Sequence, residues 1–209
     1  MLRDFTDEHV MTEARKLLVP YALKRTLRYQ TERDHSVHSE SVAEHIFALH
    51  WLARYFLPLE DPEPLMDWQK VYDILLVHDF GEITHGDVPY HWKTAEHEAR
   101  EREAAGSIFA SLPGALAVSC QADWLAYETR STPEARFAYA LDKIEPLFEL
   151  AGPINEQSMK RLRFGYDHHM DKKFRATEHF PIMRRFLEVM TADMLARGVF
   201  WVAEETGAA

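Results

Sequence analysis

Apolar residues recur three and four positions apart along almost the whole chain, and nowhere is there a sustained alternation of apolar and polar residues. That period belongs to helices buried along one face, so an all-α protein is expected. Only 8 Gly and 10 Pro interrupt the 209 residues, and they punctuate the pattern. Thr6 and Asp7 offer a start for a first helix with a stripe of Val10, Ala14, Leu17, Leu18, Tyr21 and Leu27, running to about Tyr29 with Pro20 bending or splitting it. A polar loop from Thr31 to Ser39 precedes a second helix that opens at Ser39 or Ser41 and ends near Phe56, where Ser41 and Glu44 fit a capping box. Pro58, Pro62 and Pro64 mark a connector. A third helix from about Leu65 carries Val71, Ile74, Leu75 and Val77 into His78 and Asp79; Gly81 ends or bends it, and Ile83 to Pro89 reads as loop. Further helices are expected over about Thr94 to Leu112, 115–128, 133–151, 154–164 and 178–197. The apolar end Val199-Phe200-Trp201-Val202 should dock on the core or on a neighbouring subunit.

Composition matters for what it excludes. With 46% hydrophobic residues, a chain of this length buries roughly 70% of its unfolded surface and folds without a crosslink or structural metal. The lone Cys120 has no partner for an intramolecular disulfide and reads as a packed residue in a reduced, cytoplasmic setting. No run approaches the ~18 apolar residues of a membrane span, and the N-terminus lacks an apolar leader. A formal charge of −10, from 24 Lys+Arg against 34 Asp+Glu, repels a phosphate backbone and excludes a nucleic-acid polymer as the main ligand.

Histidine is unevenly spread. His35, His38, His45, His50, His78, His85, His91 and His97 crowd one stretch of the chain. His45 stands three after Val42 and four before Leu49, on the core-facing stripe of its helix, where a hydrogen-bonded core histidine is the simpler reading taken alone. His78 and Asp79 directly follow the apolar run Ile74-Leu75-Leu76-Val77; a polar pair there must find partners, and a metal ion satisfies an imidazole and a carboxylate together. Asp142 borders the stripe of Phe137, Leu141, Ile144 and Phe148, with a surface pair to Lys143 as the alternative. Pro146 has no amide hydrogen for the carbonyl of residue 142 and should bend the helix at that turn.

The segments Ser41-Val-Ala-Glu-His45, His78-Asp-Phe-Gly-Glu-Ile-Thr-His-Gly-Asp-Val-Pro89 and Ala140-Leu-Asp-Lys-Ile144 together resemble the HD-domain metal-dependent phosphohydrolases, and within them the 5′-deoxynucleotidase branch. The resemblance covers about residues 17–150. It implies a single helical HD domain over 1–209 with the metal site between core helices, and residues 151–209 completing the domain or forming an oligomer interface. It makes His45, His78, Asp79 and Asp142 the ligands of one divalent ion, among Mn, Co, Zn, Fe, Ni or Mg, with Mg alone disfavoured by two imidazoles. Glu82 would move a proton at metal-bound water or the leaving oxygen, Asp87 would hold the substrate sugar or orient water, and Arg28 would contact phosphate or sugar. Tyr29 stands where some relatives have Trp, and the loop from Thr31 to His38 is longer than usual. Arg33, His35 and His38 in that loop, and Lys93, are further phosphate contacts to weigh against a solvated reading. His91 and His97 occupy the interval where some HD phosphodiesterases hold a second metal, although the charged helix around His97 favours solvent.

The expected activity is hydrolysis of a small phosphorylated substrate, a (deoxy)nucleoside 5′-monophosphate, by a cytoplasmic enzyme that forms a homodimer. The alternatives are a phosphodiesterase or nucleoside triphosphate hydrolase, the latter needing more Lys and Arg than the motif region offers, and a catalytically silent nucleotide-binding regulator.

Overall fold

The computed structural model describes residues 12, 15, 16, 19–28, 40–88, 92–150, 156–161 and 163–202. The expected first helix and the polar loop after it fall largely outside them; what is described there is helical at residues 12, 15 and 16, followed by a 3-10 turn, Val19–Lys24, at Pro20. Helix α1 (Val42–Glu60) opens on the expected capping box: Ser41 Oγ accepts from the Glu44 amide at 3.3 Å, and Glu44 Oε2 accepts from the Ser41 amide at 2.7 Å. The helix continues past Phe56 and through Pro58, a correction to the connector read from the prolines. Pro58 removes one donor only in the last turns, where the carbonyl left over belongs to the exposed Arg54 and water can serve it. Asp61 then braces the connector, its carboxylate accepting from the Leu65 and Met66 amides and from Trp68 Nε1 at 2.9, 3.0 and 2.9 Å.

Helix α2 (Trp68–Val77) is capped by Asp67 and delivers His78 at its end. The stretch read as loop after Gly81 instead begins with a helical turn, α3 (Glu82–His85), closed by the Gly86 amide on the Glu82 carbonyl at 2.8 Å with Gly86 at φ 74°. Gly81 is required by close approach, since a Cβ there would stand 2.8 Å from the Glu101 carbonyl oxygen. Helices α4 (Ala95–Ser111), α5 (Gly114–Thr129) and α6 (Pro133–Glu149) follow close to their expected bounds, with Pro146 accommodated inside α6. The C-terminal third differs more. The described helix α7 (Glu156–Arg161) falls within the expected range, α8 (Tyr166–Ala176) was not anticipated, and α9 (Pro181–Ala196) matches.

Among the described residues there is no strand, only an antiparallel bridge between Leu27 and Ser41, and no helix is long and apolar enough to cross a membrane. Helix α6 is the hub, packing on α1, α2, α5, α8 and α9. Its Phe137, Leu141 and Ile144 join Leu49, Phe56, Leu75 and Met183 in the larger core cluster. A smaller cluster gathers Leu23, Val42, Val77, Phe80 and Phe109. His45 lies between Val42 and Leu49 and His78 directly after Val77, so both imidazoles sit at the seam of the two clusters. At the C-terminus Val199 and Phe200 are buried in this chain's own core, while Val202 is exposed. Gly81→Ala should lower stability by about 1–3 kcal/mol, read as a lower urea midpoint at unchanged slope; an unchanged midpoint would mean that the Glu101 backbone yields freely.

Candidate metal centre

Three helices direct the expected ligands to one point. His45 is fully buried on α1, His78 ends α2 with Asp79 next to it, and Asp142 reaches in from α6. The His78 Nδ1–H donates to the Leu75 carbonyl at 2.9 Å, which leaves Nε2 as the lone-pair nitrogen. His45 Nδ1 lies 2.9 Å from Glu145 Oε2 and 2.7 Å from Arg28 NH1, and its Nε2 is the nitrogen turned to the cluster. His45 Nε2 is 3.3 Å from Asp142 Oδ1 and 3.8 Å from Asp79 Oδ2; His78 Nε2 is 3.1 Å from Asp79 Oδ2 and 3.9 Å from Asp142 Oδ1. Both Nε2 atoms are buried and neither makes a hydrogen bond. Orphaned polar atoms are rare inside proteins. A divalent cation answers two imidazole lone pairs and two carboxylates at once, so these residues fit the ion that the resemblance implies. His45, His78 and Asp79 each offer one atom within 4.8 Å of the others, with Asp142 on the fourth side.

The surroundings tune each ligand. Burial and Arg28 oppose a charged His45, but Glu145 and Asp142 outweigh them and push it up to about 10. Burial works against the Asp79 carboxylate as well, and the imidazoles of His78 and His45 hold it below the usual range. For Asp142, Lys143 and the two histidines likewise overcome burial and hold it well below that range. The Lys143 pairing that the sequence offered as an alternative is present, yet it occupies a single oxygen. Asp142 Oδ2 takes Lys143 Nζ and the Tyr127 hydroxyl, the latter at 2.5 Å, while Oδ1 faces the histidines.

Glu82 has the opposite character. It is buried, its Oε2 has no hydrogen bond, and burial together with Asp79 and Asp87 pushes it well above the ordinary carboxylate value. It borders a cavity with Asp79, Asp142, Asp87, Arg28 and Lys93, and Pro146, Leu150 and Phe164 form an apolar part of the same lining. Arg28 is brought there by the Leu27–Ser41 bridge. Its NH1 pairs with Glu40 at 3.1 Å and Glu145 at 3.3 Å, and lies 2.7 Å from His45 Nδ1. Lys93 pairs with Glu101 at 2.7 Å at the cavity edge. Tyr29, Arg33, His35, His38 and His91 lie outside the described residues. His97 is not brought to the cluster; its Nδ1 accepts from the Thr94 amide at 3.1 Å and caps α4. Cys120 is packed and buried, as expected.

Sequence reasoning missed Glu145, Tyr127, Lys143 as a ligand brace, and Lys172 and Lys173, which also line the cavity. Glu145 follows Asp142 by three residues on the buried face of α6, a spacing that could have revealed it. Tyr127 and the α8 lysines arrive through tertiary packing and leave no local signal.

Residues 21–179 match the family model described as HD domain. A 5′-deoxynucleotidase, hdd1 of Schizosaccharomyces pombe, is 31% identical over 118 residues, 53% of this chain and 57% of that protein. The 5′-deoxynucleotidase HDDC2 of Danio rerio is 30% identical over 112 residues, 53% and 54% of the two chains. The chain spans about half the length of these curated relatives. The crystal structure of a predicted metal-dependent phosphohydrolase from Magnetospirillum magnetotacticum is similar with a TM-score of 0.76 at 26% identity, over 92% of this chain and 98% of that one. An HD-domain phosphohydrolase from Listeria innocua, with a TM-score of 0.61 at 20% identity over 88% and 89% of the chains, shares the fold.

Because His45 titrates above the ordinary value near 6.5, its stabilising contribution to chelated protein is full below that pH and is lost as pH rises through about 10. A cation must displace its proton, so metal loading should release protons and tighten as pH rises. Calorimetry in buffers of different ionisation enthalpy measures this, and loading without proton release would contradict it.

Proposed function

The chain belongs to the HD-domain phosphohydrolase family, and on that premise we propose that it hydrolyses phosphomonoesters with one divalent metal ion, its substrates being (deoxy)nucleoside 5′-monophosphates. The observation that carries this reading is the pair of buried, hydrogen-bond-free Nε2 atoms of His45 and His78 aimed at Asp79 and Asp142, beside a cavity bordered by the buried Glu82. The substrate class rests on the relatives named 5′-deoxynucleotidase.

When bound, the ion supplies a Lewis acid for a phosphate oxygen and an activated water. The protein's own groups do the rest. His45, His78, Asp79 and Asp142 hold the ion, and the Leu75 carbonyl and Glu145 fix the two rings in the liganding orientation. Arg28, anchored through NH1 to Glu40 and Glu145, presents a fixed positive charge at the cavity lining where phosphate charge builds. Glu82 gives its proton to the leaving 5′ oxygen. Asp87 takes a sugar hydroxyl, and Pro146, Leu150 and Phe164 offer an apolar wall for the base.

A second reading, a hydrolase of di- or triphosphates, gains from the lysines Lys143, Lys172 and Lys173 on the cavity wall. A phosphate-release panel of mono-, di- and triphosphates with Mn, Co, Zn and Mg, run on chelator-stripped protein, separates the two. Release from monophosphates is expected, and release confined to triphosphates would overturn the proposal. His45→Ala and His78→Ala should each lose metal and activity. Glu82→Ala should keep the metal and lose about 10²–10⁴-fold in turnover; unchanged turnover would remove Glu82 from the chemistry.

A further inference from the structure

Helix α8 contributes to the cavity a lysine that packing alone does not explain. Lys173 is 4% exposed and shares the inward face of α8 with Met170, Phe174 and Thr177. Its Nζ donates to the Lys143 main-chain carbonyl. An ammonium has three hydrogens to give, and among the described residues no carboxylate pairs with Lys173. The Lys143 carbonyl lies inside α6, where the helix already supplies it with a donor, so the helix does not need Lys173 for satisfaction. Lys172 lines the same cavity. Burial and then Lys143 push Lys173 down to about 7 and Lys172 down to about 8; nearby carboxylates offset this only in part. A buried amine with no carboxylate beside it and its charged form disfavoured regains that charge where a ligand brings the anion.

We propose that Lys173, flanked by Lys172 on the α8 wall of the cavity, is a phosphate-binding residue whose ammonium takes oxygens of the phosphorylated substrate and of inorganic phosphate. This rests on the reading of the cavity as a phosphate-ester site and adds to it a subsite from the C-terminal part of the chain, outside the sequence motif. The competing role is mechanical, a strut from α8 to the backbone of α6. The two roles differ in sign. A strut lost to an apolar side chain weakens the fold and leaves phosphate alone. A ligand-completed charge replaced by methionine leaves a fold at least as stable, because the stripe becomes wholly compatible with burial.

The test uses the full chain loaded with Mn, inorganic phosphate as the probe in calorimetry, and the variants Lys173→Met and Lys173→Gln. Glutamine retains an amide donor for the Lys143 carbonyl and removes only the charge, which keeps the question open to test should methionine disturb folding. Both variants should bind Mn with wild-type stoichiometry, weaken phosphate binding tenfold or more, and raise KM for the hydrolysed monophosphate more than they lower kcat. The methionine variant should unfold at or above the wild-type midpoint. Wild-type phosphate affinity in either folded variant would overturn the proposal, as would a wild-type protein that binds no phosphate. If the wild type binds phosphate but hydrolyses no ester, the assigned activity falls, while the phosphate affinities of the variants still decide the role of Lys173.

Discussion

Everything near the cavity follows from having placed two imidazoles and two carboxylates at the seam between two apolar clusters. Ionic groups lose hydration there, and their mutual attraction repays the loss only when each remaining polar atom is also met. The structure meets most of them. Leu75 and Glu145 hold the far nitrogens of the rings, and Tyr127 and Lys143 share the outer oxygen of Asp142. Arg28 neutralises Glu145 from behind and is itself closed off by Glu40, which burial and the charge of Glu145 raise to about 7. Without a hydrogen bond the protein leaves the two inner Nε2 atoms and, at the cavity, Glu82 Oε2. The far sides of the two rings are held while their inner nitrogens are left open, which suits a cation.

How much of this the sequence disclosed depends on the range of the interaction. The Ser41–Glu44 capping box and the core stripe carrying His45 were legible because both are set within two turns of one helix. The helical turn at Glu82 was not, because it depends on Gly81 lying against the Glu101 backbone far along the chain. Helix α8 escaped notice for a related reason. Its inward face is Met170, Lys173, Phe174 and Thr177, so a charged residue stands where a periodic reading looks for an apolar one. Asp142 shows the limit from the other side. Its sequence neighbours allowed either a metal ligand or a partner of Lys143, and the folded carboxylate leaves room for both, with Oδ2 on Lys143 and Oδ1 facing the histidines.

The formal charge of −10 and a phosphate-directed cavity are compatible because the two act at different ranges. Beyond about 8 Å at physiological salt the net charge is screened, while inside the cavity Arg28, Lys93, Lys143, Lys172 and Lys173 stand against Asp79, Asp87, Asp142 and a Glu82 whose carboxyl is raised by burial. The carboxylates near the histidines favour a cation, and in the role proposed for Lys173 its ammonium favours an anion. These demands meet through Lys143. Its side chain holds Asp142 Oδ2, and its carbonyl receives Lys173 Nζ. Seating a cation at Asp142 and an anion at Lys173 therefore acts on two ends of one residue of α6. Each ligand lowers the electrostatic cost of the other, so metal and phosphate should bind with positive, reciprocal coupling.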